Sequence, residues 1–257
     1  MKRVVVIGGG NLAEAVALAI SQSPAFELAQ IYLRSAERGK ELSALCSTPF
    51  STFDMPLLEA DIYLLAVSDS AIGELSRSLP FAAGAVVAHT AGSTSIEVID
   101  KGLKRAVFYP MQTFTRGRRV NFAHIPIFIE ACDGETLAQV RELASALSSS
   151  VTELDSERRR RLHLSAVFVC NFVNAMFIAG EQLVGESGLE FSILKPLIEE
   201  SCAKALLARS PKELQTGPAV RGDHTTMERH IEMLESDDLK EIYQKISTYI
   251  WETLKRI

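Results

Sequence analysis

Val4-Val5-Val6-Ile7 runs without interruption into Gly8-Gly9-Gly10, and Asn11-Leu12-Ala13 opens a helical pattern at once. That order constrains the fold more than the glycines themselves do. A tight turn at the end of a parallel strand aims the next helix N-terminus outward, where unpaired N–H groups and the helix dipole favour a phosphate. In this reading Gly8 permits the turn, Gly10 lets the backbone approach a diphosphate, and Ala13 stands where a third glycine would let strand and helix pack closely. Gly8, Gly10, Asn11, Leu12 and Ala13 are therefore candidate dinucleotide-binding residues. The G-x-G-x-x-A spacing alone is a weak signal. It gains weight from the strand before it, the helix after it and a second strand about 20 residues on. An apolar β–α turn that binds nothing is the alternative.

The rest of the first half repeats this alternation. Apolar, Val- and Ile-rich runs predict strands over 3–7, 28–33, 61–67, 86–89, 104–109, 125–131 and 150–154. Helical patterns lie between many of them, at 11–22, 35–46, 69–78 and 134–147. Alternation of this kind predicts an α/β domain, a doubly wound and mostly parallel sheet with helices on both faces. Ligands of such sheets lie beyond the carboxyl ends of the strands. From Asp155 onward no strand pattern is found, and helices are expected over 156–186, 190–208, 225–235 and 238–255. Asp155 or Ser156 is the expected N-cap of the first of these. The boundary is placed near 154, giving a dinucleotide-binding domain over 1–154 and a smaller all-α domain over 155–257.

Composition excludes several classes. A chain that is 47% apolar and 23% charged is that of an ordinary globular protein able to bury a core without metals or disulfides. Net charge is −5, so nucleic acid is not an expected partner. Cys46, Cys132, Cys170 and Cys202 lie far apart in apolar stretches and are expected to be buried, reduced thiols. The five histidines show no metal-ligand spacing. Asn11, Glu14 and the glycines interrupt the only stretch resembling a signal peptide. Leu164 to Ala179, broken by Asn171 and Asn174, is read as too short and too polar to span a bilayer. A cytoplasmic protein, not associated with a membrane, is expected.

The second strand ends in Arg34-Ser35. NAD-selective folds place an acidic residue there to accept from the ribose 2′-hydroxyl, whereas an arginine suits a 2′-phosphate. Arg34 offers a planar fork, Ser35 a hydroxyl, and Arg38 lies one helical turn beyond, so NADP is expected over NAD. A solvated arginine at a strand end is the alternative. The strand ending at Val67 presents Ser68 and Asp69 to the same trough, unless they serve only as helix caps. The next strand ends His89-Thr90-Ala91-Gly92-Ser93, where small residues leave room for a nicotinamide ring. His89 is either a ligand contact or a buried histidine with its hydrogen bonds made.

With these segments in place, the chain resembles a known group. Ile7 to Ala13, Arg34-Ser35 and Ala91-Gly92 look like pyrroline-5-carboxylate reductases and deazaflavin-dependent NADP reductases. Four further stretches are similar to the Rossmann-like NADP oxidoreductases that carry a C-terminal helical domain of unknown function. They are His89–Ser93, Phe108–Phe114, Leu162–Phe172, and Thr216–Pro218 with Arg221–Asp223. The resemblance implies a Rossmann domain followed by an all-helical dimerisation domain, as in 6-phosphogluconate dehydrogenase-like enzymes. One departure counts. Hydroxyacid dehydrogenases of that superfamily carry a catalytic lysine four residues before an asparagine on the first long helix of the second domain. Four before Asn171 stands Val167.

Hydride transfer is the chemistry of a nicotinamide; the protein must align the substrate and manage one proton. His163 suits a general acid at neutral pH, because an ordinary imidazole titrates at about 6.5. Asn174 lies eleven residues on and shares its helical face, and Cys170 lies on the same stripe. Asn171 can bond a substrate carbonyl or the nicotinamide carboxamide. Tyr109, Gln112 and Thr113 follow a strand end and are expected to meet the substrate. Arg221 suits a substrate carboxylate, unless it pairs with Asp223. Arg158–Arg161 spread around a helix and are expected to be a solvated first turn. Catalytic candidates are thus His163, Asn171 and Gln112; substrate candidates are Tyr109, Thr113, Asn174 and Arg221. The expected function is an NADP-dependent oxidoreductase reducing a small carbonyl or imine between the two domains. The second reading is an NADP-binding sensor with no redox step. Phe168, Phe172, Met176, Phe177, Ile246, Ile250 and Trp251 imply a homodimer through the C-terminal helices.

Overall fold

The four central apolar residues of β1 (Lys2–Ile7) are sorted by strand pleat into two layers. Val4 and Val6 join a cluster with Ile62, Leu64 and Phe108; Val5 and Ile7 join another with Tyr63, Leu65 and Ile72. All four are fully buried because helices cover both faces, which is why the strand reads as a continuous apolar run. The computed structural model describes residues 1–255.

Among these residues seven further strands complete the sheet: β2 (Phe26–Leu33), β3 (Phe50–Thr52), β4 (Ile62–Leu65), β5 (Val86–His89), β6 (Lys104–Pro110), β7 (Ile127–Ala131) and β8 (Val151–Glu153). Their order is β3-β2-β1-β4-β5-β6-β7-β8, parallel except for the β6–β7 pair. The order reverses at β1, which lies between β2 and β4. A crevice beyond the carboxyl ends of β1 and β4 is the ligand position such a switch point creates. Helices α1 (Asn11–Ser21), α2 (Ala36–Cys46), α3 (Asp69–Ser78) and α4 (Gly134–Leu147) connect the strands. The doubly wound sheet expected from the sequence is the one observed. Three-residue β3 has no counterpart in the expectation, being too short for a periodic signal. Residues 122–124 form a 3-10 turn, so β7 starts later than expected. Of the four cysteines only Cys46 is buried; Cys132 and Cys202 are exposed and Cys170 is half-buried, which corrects the reading of all four as core thiols.

Beyond β8 the described residues are helical: α5 (Ser156–Ala166), α6 (Val173–Glu186), α7 (Lys195–Leu207), α8 (Pro218–Arg221), α9 (His224–Met233) and α10 (Asp237–Lys255). Asp155 caps α5, its side chain accepting from the Arg158 amide. A π-helical turn, Val167–Phe172, separates α5 from α6 inside what the sequence predicts as one regular helix. The chain divides into two compact units, Met1–Asn171 and the part from Phe172 onward. The change from strand to helix thus falls at 154–155, while the first unit also takes in α5 and most of the π turn.

Arg159 holds α5 to the sheet. It is completely buried, against the expectation of a solvated arginine run. Its guanidinium pairs with Glu130 of β7 and donates to the Thr94 carbonyl and to Ser156 Oγ (3.1 Å). Ser156 Oγ in turn donates to Glu130 and accepts from the Ile96 amide. Because Arg159 turns inward, the run is not a ring of cations crowding the helix N-terminus in water.

Removing one partner of such a buried pair leaves an uncompensated charge. Glu130→Ala is expected to cost about 3–5 kcal/mol of unfolding free energy, read by urea denaturation. A loss below about 1 kcal/mol, typical of an exposed ion pair, would contradict the anchoring role.

Candidate active site

The glycine turn is forced by its neighbours. Gly8 has φ +137°, and a Cβ there would sit 2.1 Å from the Ala66 carbonyl oxygen, so no other residue fits. Its amide donates to the Tyr32 carbonyl, and Ala66 donates to Ile7, which locks the turn against β2 and β4. Gly10, by contrast, has nothing within 4 Å of where a Cβ would project. It is the N-cap of α1 and supplies no side-chain cap. The first N–H groups of α1 therefore start in open space, with Ala13 buried behind them. An uncapped helix start beside a bare Cα is a cradle for a dinucleotide diphosphate, and these residues fit one.

A cavity of about 510 Å³ begins at that turn. Asn11 and Leu12 of α1 form one side; Tyr109, Gln112 and Thr113 come from the end of β6 and the loop after it; His163, Cys170 and Asn171 come from α5 and the π turn. Among the described residues, no Asp, Glu, Lys or Arg lines it. Its size suits a small molecule with part of a cofactor.

The polar centre of the cavity is a pair. Tyr109 Oη lies 3.1 Å from His163 Nδ1, with the rings edge to face. Both lie over Gly92, where a Cβ would come within 2.6 Å of His163 Nδ1 and 2.8 Å of Tyr109 Cζ. Burial raises the Tyr109 phenol above its ordinary value, opposed in part by the Arg159 charge, so it stays protonated at neutral pH. The direction of this bond follows the tautomer: a neutral His163 with its proton at Nε2 accepts at Nδ1 from the phenol, whereas the imidazolium donates from Nδ1 to the phenol oxygen and carries its second proton at Nε2. Nearby, Asp69 accepts from Ser93 Oγ and Thr94 Oγ1, each at 2.6 Å. Burial raises its carboxyl, but these two bonds and the His89 and His163 charges hold it below the usual range.

Other expected site residues are placed as follows. Arg34 is exposed at the end of β2, and Ser35 caps α2 by accepting from the Arg38 amide at 3.2 Å. Val67, Ser68 and Asp69 follow β4 at the switch point, but neither Ser68 nor Asp69 caps α3 through its side chain. His89 and Thr90 are buried, so their side chains are not open to a ligand; Ala91 is half-buried. His89 is buried and its Nδ1 accepts from the Ala91 amide (3.1 Å), while its buried Nε2 has no hydrogen-bond partner among the described residues, so only one of its ring nitrogens is satisfied. Gln112 is turned onto its own backbone, its Oε1 accepting from the Thr113 amide. Asn174 and Arg221 are exposed residues of the second unit and do not line this cavity. Asp223 caps α9, accepting from the Thr226 amide and hydroxyl. Sequence reasoning missed Glu14 and Glu41 as partners of Arg38, and Met111, Phe114 and Ala166 as lining. Glu41 was findable from its i,i+3 spacing to Arg38; Glu14 meets it only through tertiary packing.

A family model described as a domain of unknown function (DUF2520) matches residues 125–250. A solved structure from Bacteroides fragilis, described as a "putative NADP oxidoreductase", is 37% identical, with 98% of each chain covered and a TM-score of 0.91. A protein of Thermotoga maritima is 21% identical over 98% of each chain, with a TM-score of 0.74. A 1-pyrroline-5-carboxylate reductase of Streptococcus pyogenes is 16% identical, covering 100% of this chain and 99% of its own, at 0.66. The last two are alike in fold. No curated protein matches the chain.

Burial, reinforced by the Arg159 charge, pushes His89 down to about 4 from its ordinary 6.5. Below 6.5 the unfolded chain takes up a proton that the folded chain refuses until about pH 4, so stability falls as pH drops through that window. The full effect is roughly 3 kcal/mol. His89→Asn is expected to flatten this slope, so the stability gap between wild type and variant narrows by roughly 2 kcal/mol from pH 7.5 to pH 4.5 in denaturant titrations. Parallel pH profiles would contradict it.

Proposed function

The chain belongs to the family of Rossmann-like oxidoreductases that carry the C-terminal helical domain of unknown function, and on that premise we propose an NADP-dependent reductase of small carbonyl or imine compounds. One observation carries this reading. A single cavity joins the open N-terminal turn of α1 to the Tyr109–His163 pair, a phosphate cradle at one end and a proton donor at the other.

When bound, the nicotinamide supplies the hydride. The amides of the α1 turn and the helix dipole take the diphosphate, and Arg34 with Ser35 takes the 2′-phosphate that distinguishes NADP from NAD. As the imidazolium, His163 gives its Nε2 proton to the substrate oxygen or nitrogen and is left as the neutral imidazole, its Nδ1–H donating to Tyr109 Oη. Tyr109 is a positioning residue: its hydroxyl fixes the imidazole tautomer and orientation. Asn171, Gln112 and Thr113 supply hydrogen bonds to the polar end of the substrate. A lining without charged side chains favours a neutral substrate, because a carboxylate enclosed there without a cation pays a desolvation cost. The absence of a lysine from that lining favours the second reading, an NADP sensor without a redox step.

The test is NADPH oxidation against panels of aldehydes, ketones and cyclic imines. His163→Ala is expected to lower kcat/KM by about 10²–10³ with NADPH affinity unchanged. Tyr109→Phe is expected to give a smaller loss and a displaced pH profile. NADPH binding without oxidation across the panels, in wild type and variants alike, supports the sensor instead.

We further propose a homodimer through the C-terminal helices. The stretch Ser156–Glu186 is long and apolar enough by composition to cross a membrane, yet its first turns carry four arginines. Exposed Ile178 of α6, Ile193 of the 3-10 turn before α7, and Leu197, Leu206 and Leu207 of α7 add further apolar surface. A second copy covering these residues accounts for that surface. Sedimentation velocity without detergent is expected to show a dimer, and Leu197→Asp with Ile193→Asp a monomer; a monomeric wild type would contradict it.

A further inference from the structure

We propose that Arg116, on the loop after β6, is a second ligand for the 2′-phosphate of NADP, and that Glu41 occupies its place in the free protein; this rests on the NADP reading above. Arg38, on the first turn of α2, is committed in three directions. Its Nε donates to the Gly9 carbonyl (2.9 Å), Nη2 pairs with Glu14, and Nη1 donates to Glu41 Oε2 (2.9 Å). The same Glu41 oxygen accepts from Arg116 Nη2 at 2.5 Å. Two guanidiniums from segments 75 residues apart in sequence therefore converge on one carboxylate oxygen, and the Arg38 amide donates to Ser35 Oγ (3.2 Å), next to Arg34 in the chain.

The two glutamates are not equivalent. Glu14 is nearly buried, and its other oxygen accepts from the Gly117 amide at 2.9 Å, so it is part of the scaffold. Glu41 is exposed. Exposed ion pairs add little stability, and bringing two cations together costs repulsion, so stability alone does not account for the convergence. A phosphate dianion with three acceptor oxygens satisfies two guanidiniums better than one shared carboxylate oxygen. The loop is also held where this requires. Asn11 Nδ2 donates to the Phe114 carbonyl (3.0 Å) and Glu14 accepts from Gly117, so Arg116 is tethered to α1 on both sides. Arg34, Arg38 and Arg116 against Glu14 and Glu41 leave a net charge of 3 − 2 = +1.

The test is direct calorimetric binding of NADPH, NADH and adenosine 2′,5′-bisphosphate to the full chain, with thermal melts as a folding check. Arg116→Ala is expected to weaken NADPH and the bisphosphate about tenfold, with NADH within about twofold. Glu41→Gln is expected to tighten NADPH several-fold and leave NADH unchanged. An equal weakening of NADPH and NADH by Arg116→Ala, or no weakening of either, overturns the assignment. If wild type prefers NADPH and Arg34→Ala abolishes the preference while Arg116→Ala keeps it, this inference alone fails. If wild type shows no preference for NADPH, the NADP reading fails with it.

Discussion

The buried Arg159 side chain is the interaction on which the rest of the candidate site depends. A cation with no exposure is tolerated only because Glu130, the Thr94 carbonyl and Ser156 surround it. Those partners belong to β7, to the segment after β5 and to α5 itself, so one guanidinium ties three parts of the first unit together. One helical turn later on α5 stands His163, and the anchored helix brings it to the phenol at the end of β6. Burial lowers His89, and the same charge adds to it, keeping that imidazole neutral inside the sheet. The same arginine thus bears on both histidines, through the position of α5 for His163 and through its charge for His89.

At the other end of the cavity the constraint is steric. Gly8 is compelled by the Ala66 carbonyl, whereas Gly10 is compelled by nothing within the chain. A glycine whose Cα faces open space at an uncapped helix start leaves room for something from outside. The π turn at Val167–Phe172 adds to this. Such turns occur often at functional sites, and here it carries Cys170 and Asn171 into the wall of the cavity.

Much of the architecture was legible in the sequence because buried parallel strands announce themselves as unbroken Val and Ile runs. The turn after β1 and the change to helix after β8 follow from local pattern, whereas the strand order, with its reversal at β1, is set by tertiary pairing. Of the site, Tyr109, Gln112, Thr113, His163 and Asn171 were readable from their place after strand ends or on the long helix, and they line one cavity. What escaped was non-local. Arg159 looked like one of four solvated arginines, since nothing in Arg158–Arg161 says which of them turns inward. Glu14 meets Arg38 across 24 residues, and Arg116 meets Glu41 across 75. The π turn was invisible because Val167–Phe172 is apolar apart from Asn171 and shows no clear period, so the stripe linking His163, Cys170 and Asn174 was drawn on a regular helix that is not there.

The central claim is that a dinucleotide rests on the first turn of α1 with its reactive end toward His163. Amide chemical shifts of isotope-labelled protein titrated with NADPH test it most directly. Saturable shifts concentrated at Gly8–Ala13, extending to Gly92 and His163, are the predicted result. No saturable change, or changes confined to residues away from that turn, would contradict it.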